Sequence, residues 1–134
     1  MEWSENLPES CPPNDAEKCK SIIVYRFLND SENISRSFLT VRELHPARTF
    51  SQTEKECRAC SLSVFTDKDE VVKLQSTVPR WRKPVAIVRL DENSGKIKHT
   101  PSPDTDNSHH SWWIPIDLSP ETLSQTVIQP PVSQ

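Results

Sequence analysis

A single glycine, Gly95, serves all 134 residues of this chain. Glycine is the residue that reaches positive φ without steric cost. Phosphate loops and dinucleotide fingerprints need several glycines to bring backbone N–H groups against phosphate, so both are excluded. A G-x-S-x-G nucleophile elbow is excluded in the same way, which leaves Ser61 and Ser63 without the strained turn that would expose a reactive hydroxyl. The glycine itself closes the string Asp91-Glu92-Asn93-Ser94-Gly95, where a turn between two apolar runs calls for a left-handed residue.

Around that turn the pattern is one of short strands and one good helix. Residues 21–28, SIIVYRFL, are β-branched and aromatic and predict the first strand. Residues 29–33 form a polar turn, and residues 34–41, with Phe38, Leu39 and Val41, predict a second strand pairing back on the first. Residues 42–50 contain Pro46 and no period, and so predict a loop. Ser51 with Glu54 matches a capping box and predicts a short helix through Glu56. Residues 62–65 predict a strand. The helix follows over residues 67–77, with Asp67, Asp69 and Glu70 at its positive end and Val71, Leu74 and Val78 on one face, stopped by Pro79. Strands are predicted over residues 84–90 and 96–99, the second continuing a hairpin, and again at His109-His110-Ser111-Trp112-Trp113. A helical turn can open at Ser119-Pro120. The fold class expected is α+β: a small mixed or mostly antiparallel sheet with one main helix.

The hydrophobic fraction is 34 %, below the globular norm of about 45–50 %, and the excess polarity sits mostly at the ends and in loops. Residues 1–20 hold three prolines and no apolar period, and residues 128–134 hold a proline pair. Both ends are expected to be disordered, leaving one domain over residues 21–127. Net charge is −3, and only Arg80, Arg82 and Lys83 cluster, so duplex nucleic acid is not an expected partner. No apolar run approaches a membrane span and no export signal is visible, which predicts a cytoplasmic protein without membrane contact. In that compartment the four cysteines are expected as free thiols or metal ligands.

Several side chains are candidates for chemistry. Arg26 shares a strand face with Val24 and Leu28. A guanidinium there is either an anion anchor or one half of an internal ion pair, unless it snorkels to water. Arg89 poses the same question. Cys57 and Cys60 form a C-x-x-C pair that can reach one zinc ion, with His109, His110, Cys11 and Cys19 as sources of further ligands; the alternative is two ordinary thiols near the core. His109 and His110 are candidate acids or bases near neutral pH. Trp112 and Trp113 cannot both face the core of a single-layer sheet, which predicts one of them in a groove bordered by the stiff loop from Thr100 to Pro103, or at the surface; the alternative is one in the core and the other covering the hairpin. His45 reads as structural or solvated, and Trp3 as an incidental apolar residue or an anchor in a polar tail.

Tyr25-Arg26 in the first strand, followed by Ser61-Leu62-Ser63 leading to Phe65 and a helix, resembles small ADP-ribosyltransferase-type domains over roughly residues 22–78. The resemblance implies Arg26 as an anchor for a nucleotide or NAD and Ser63 as the serine of the pocket strand. It departs from that pattern where many such enzymes place a late glutamate, since His109 and His110 stand there. The Cys-x-x-Cys pair with His-His-x-Trp-Trp also resembles a family of small bacterial proteins without an assigned activity.

Three readings follow. A binding or adaptor domain would hold a protein or small molecule in a groove bearing Trp112, Trp113 and histidine. An enzyme on a nucleotide-like substrate would bring Arg26, Ser63 and His109 to one pocket. A zinc-stabilised module would place Cys57 and Cys60 on one ion.

Overall fold

A computed structural model describes residues 1–30, 32–101 and 108–131. Residues 102–107, which include Ser102 and Pro103 of the expected loop, Ser31 of the first turn, and the last three residues lie outside the described residues. Among the described residues seven strands form one antiparallel sheet: β1 (Glu17–Lys18), β2 (Ile22–Phe27), β3 (Leu62–Phe65), β4 (Val85–Leu90), β5 (Lys96–His99), β6 (His109–Trp113) and β7 (Ser124–Ile128), in the order β1-β5-β6-β3-β2-β4-β7. Four helices accompany it among the described residues: α1 (Ile34–Ser37), α2 (Val41–Leu44), α3 (Thr53–Ala59) and α4 (Lys68–Thr77), with 3-10 turns at Pro79–Trp81 and Pro120–Leu123. The class is α+β, as expected.

The sheet curls into a ring. β1 runs into β2 along one bent segment, and β4 into β5 along another; where the bends meet, Cys19 N–H donates to the Gly95 carbonyl at 2.9 Å. Yet β5, β6 and β3 lie between β1 and β2 in the order, so the β1 edge must return beside β2. The expected hairpin of residues 84–90 with 96–99 is corrected accordingly: β4 pairs with β2 and β7, and β5 with β1 and β6. The residues inside the ring are apolar: Val24, Leu62, Val64, Val88, Leu90 and Trp112 are buried together. Outside it, α4 lays Val71 against Phe27, Phe65 and Val85. Asp67 caps α4 through its carboxylate, as the acidic first turn predicts.

Three further expectations are corrected. Residues 34–41 form no strand. Asn33 accepts from Arg36 N–H and starts α1, and Thr40 with Glu43 makes a full capping box that starts α2. These polar caps override the strand propensity of Phe38, Leu39 and Val41. The capping box expected at Ser51 is absent, because α3 begins from Gln52 without a side-chain cap. Residues 1–20 are not a free tail: β1 pairs with β5, Trp3, Leu7 and Cys11 pack on Trp113, Ala16 and Cys57, and a Cys11–Cys57 disulfide fastens the segment. At the other end β7 extends the sheet to Ile128, aided by buried Gln75 of α4, whose amide donates to the carbonyls of Ile128 (3.0 Å) and Lys83 (2.8 Å).

Candidate functional site: a cation-lined cavity where β2 and β3 part

β2 and β3 share only one ladder pair, Tyr25 with Phe65, whereas β2 and β4 pair along their whole length. Past that pair the strands separate, and the Arg26 side chain enters the gap. Its Nη1 donates to the Ser63 carbonyl at 2.8 Å and its Nε to the Ser37 carbonyl at 3.0 Å. The guanidinium carbon lies 5.9 Å from the centre of the Phe38 ring. Arg26 is only 8 % exposed, and among the described residues no carboxylate lies within ion-pair distance of it. Burial alone pulls its pKa down to about 10, so the side chain stays charged at neutral pH. A buried cation normally recruits a carboxylate, since desolvating an unpaired charge is costly.

The gap opens into a cavity of about 270 Å³ lined by Arg26, Ser63 and His109. Its other walls are the α1–α2 segment, through Thr40, and the turn before β4, through Trp81 and Lys83. The three residues named for a nucleotide pocket therefore do line one cavity. The Lys83 ammonium donates to Asn29 Oδ1 at 3.0 Å, a neutral partner that leaves its charge uncancelled. Trp81 packs against Phe27 with ring centres 4.7 Å apart and planes tilted by 52°, and its indole N–H is buried without an acceptor among the described residues.

His109 sits on the cavity wall edge-on to Phe65, ring centres 5.4 Å apart. Its Nδ1 is 2.6 Å from the Thr100 carbonyl and 3.1 Å from the Thr100 hydroxyl. A carbonyl only accepts, so Nδ1 carries a proton, and in the neutral ring Nε2 keeps its lone pair. Burial, the largest influence, holds the His109 pKa below the ordinary 6.5, with the Thr100 carbonyl acting in the opposite sense.

The other candidates lie elsewhere. His110 faces away from the cavity, as adjacent strand residues must; its Nδ1 is 2.7 Å from the Ser108 carbonyl and its ring 5.0 Å from His99. Trp112 and Trp113 are 0 % and 2 % exposed. The expectation that one occupies an open groove fails because β6 is covered on both faces, by the ring interior and by the layer of α3 and residues 1–16. Each indole N–H is satisfied, by the Ser94 carbonyl at 2.6 Å and the Cys57 carbonyl at 2.9 Å. Cys57 is bonded to Cys11 and offers no thiolate, while Cys60 is a free buried thiol; among the described residues no three His, Cys, Asp or Glu side chains converge as metal ligands. The zinc pair is corrected by that bond. Arg89 is exposed on β4. No helix among the described residues is long and apolar enough to cross a membrane.

Trp81, Lys83 and Thr40 escaped the sequence reading. The signal for the first two was the string Pro79-Arg80-Trp81-Arg82-Lys83-Pro84, an aromatic residue among cations; Thr40 was signalled by Glu43 three residues on.

No protein-family model, curated protein or solved structure matches the chain.

Proposed function

We propose that the chain is a small-molecule-binding domain, and that its cavity takes a small aromatic anion of the nucleoside monophosphate class. The observation that carries this is Arg26, a buried guanidinium with two carbonyl partners and no carboxylate, facing a cavity that also holds Lys83. An anionic group entering there supplies the missing counter-charge in a low-dielectric site, where charged hydrogen bonds are strongest. Trp81, Phe65 and His109 offer ring faces and edges beside the cations, which favours a ligand joining an aromatic ring to the anion. The volume argues against a dinucleotide, being just under the range of about 300–1,000 Å³ for drug-sized sites.

The test is titration calorimetry with inorganic phosphate, nucleoside monophosphates and a dinucleotide. The monophosphates should bind best, and Lys83→Gln, a change at an exposed ammonium, should weaken them about tenfold, the worth of one charged hydrogen bond. Arg26→Lys should weaken them further. Absence of heat with every anion, or affinity indifferent to both substitutions, would overturn the reading.

The tautomer of His109 favours a second reading, in which the bound anion is also a substrate and Nε2 accepts a proton from it or from water. Product formation by the intact protein, lost in His109→Gln with ligand affinity retained, is its expected signature. Unchanged ligand after long incubation would reject it.

A further inference from the structure

A second cavity, of about 340 Å³, lies on the other side of the α1–α2 segment, and the N-terminal segment forms one wall of it. Ser4, Asn6 and Leu7 of that segment face Thr40, Arg42 and Cys60. The Cys60 thiol donates to the Asn6 carbonyl at 3.6 Å. A free thiol therefore lies under the segment, three residues from the cysteine that holds the same segment down. Residues 1–12 are tied by one covalent link, Cys11 to Cys57, and by the packing of Trp3 and Leu7 against Trp113 and Ala16.

Cys57 has two cysteines within disulfide reach by Cα separation. Its Cα lies 5.6 Å from that of Cys11. Residues three apart on an α-helix have Cα atoms about 5 Å apart, from the rise and radius of the helix, and Cys60 closes α3 as its C-cap. Both Cα separations fall in the range that disulfides occupy, but Cβ atoms three apart on a helix stand about 5–6 Å from each other, so the bridge to Cys60 forms as the last turn of α3 opens. In a loosened chain the shorter loop is the easier to close, so a bridge to Cys60 gains whenever the segment is not docked. In the docked fold, burial of Trp3 and Leu7 holds Cys11 in place.

We propose that Cys11, Cys57 and Cys60 form a thiol–disulfide exchange site that fastens or releases residues 1–12. The Cys60 thiol gives its proton to water and attacks Cys57 Sγ as a thiolate. The Cys57–Cys60 bond forms, the Cys57–Cys11 bond breaks, and Cys11 leaves as a thiolate that takes a proton from water. One disulfide and one thiol stand on each side, so no oxidant or reductant is consumed. Release uncovers the Trp113 layer and the second cavity, a site separate from the Arg26 cavity and independent of what binds there.

The setting of Cys60 makes the exchange slow at neutral pH. Burial raises its pKa; Arg42 of α2 pulls it back, while Glu56 of α3 and Glu43 of α2 oppose Arg42. The thiolate fraction, and with it the rate, rises with pH. Cys19 takes no part: it is buried in the ring, with its pKa pushed up to about 12 by burial and by Asp91.

The experiment is disulfide mapping of the oxidised full chain, incubated between pH 7 and 9 without added thiol, then alkylated and digested. A Cys57–Cys60 peptide and alkylated Cys11 should accumulate together, faster at the higher pH, and neither should form in Cys60→Ser. Leu7→Ala, which loosens the segment but leaves all cysteines, should raise the exchanged fraction several-fold. Persistence of Cys11–Cys57 alone at every pH, even in Leu7→Ala, would overturn the proposal. So would a Cys11–Cys60 product, which keeps the segment tied, or an oxidised protein lacking the Cys11–Cys57 bond.

Discussion

Arg26 donates its buried N–H groups to the Ser37 and Ser63 carbonyls, so its removal leaves two buried acceptors bare. Arg26→Met should lower unfolding free energy by about 3 kcal/mol, read from urea denaturation, with Arg26→Lys recovering part of it. Gly95 is equally fixed. Its φ of 103° is a conformation that L side chains rarely adopt, and an added Cβ would overlap the Trp113 carbonyl oxygen and press on Pro115. Gly95→Ala should therefore cost about 3 kcal/mol or more, a strained backbone added to an overpacked contact. His109 supplies a pH dependence whose sign is set by burial. With its folded pKa below 6.5, the unfolded chain binds the proton more readily, so stability is complete above 6.5 and falls as pH drops beneath it. Stability at pH 5 relative to pH 7.5, measured by the same denaturation, should fall more in the native chain than in His109→Gln.

At the level of elements, β2 to β6 and the long helix were legible because their signals are local. The β-branched run of β2, the acidic cap of α4 and the turn at Gly95 each lie within a few residues. The α1–α2 segment was misread because its apolar residues outweighed its caps, although Thr40 and Glu43 spell the helix start plainly. That cap also shapes the Arg26 cavity, since Thr40 is part of its wall. Thr40 Oγ1 accepts from Glu43 N–H at 3.1 Å, and Glu43 Oε1 accepts from Thr40 N–H at 3.0 Å. Thr40→Ala should cost about 1 kcal/mol, and Thr40→Ser should restore most of it, again by denaturant titration. β7 escaped notice because five mixed residues, SQTVI, become a strand only when β4 offers them an edge.

For the whole molecule, what could not be read was long-range. Nothing local pairs Cys11 with Cys57, or tells that a polar N-terminal segment carries enough apolar side chains, Trp3, Leu7 and Ala16, to cover Trp113. The meeting of Arg26, Ser63 and His109 was stated as a condition of one reading, and only the curl of the sheet brings them together. The Cys11–Cys57 bond spans 46 residues. Chain entropy then gives it about 4 kcal/mol of stabilisation. Reduction, or Cys57→Ser, should lower the denaturation midpoint accordingly while leaving the ring strands protected from hydrogen exchange. The ring itself has an order imposed by synthesis. β6, made after every other strand except β7, is the stave between β3 and β5, and it carries Trp112 to the centre. A growing chain therefore holds Leu62, Val64 and Ile97 without their partner until residue 113 has emerged. At ribosomal rates of about 5–20 residues per second, that is a wait of seconds, during which the inner face of the half-built ring stands open to water.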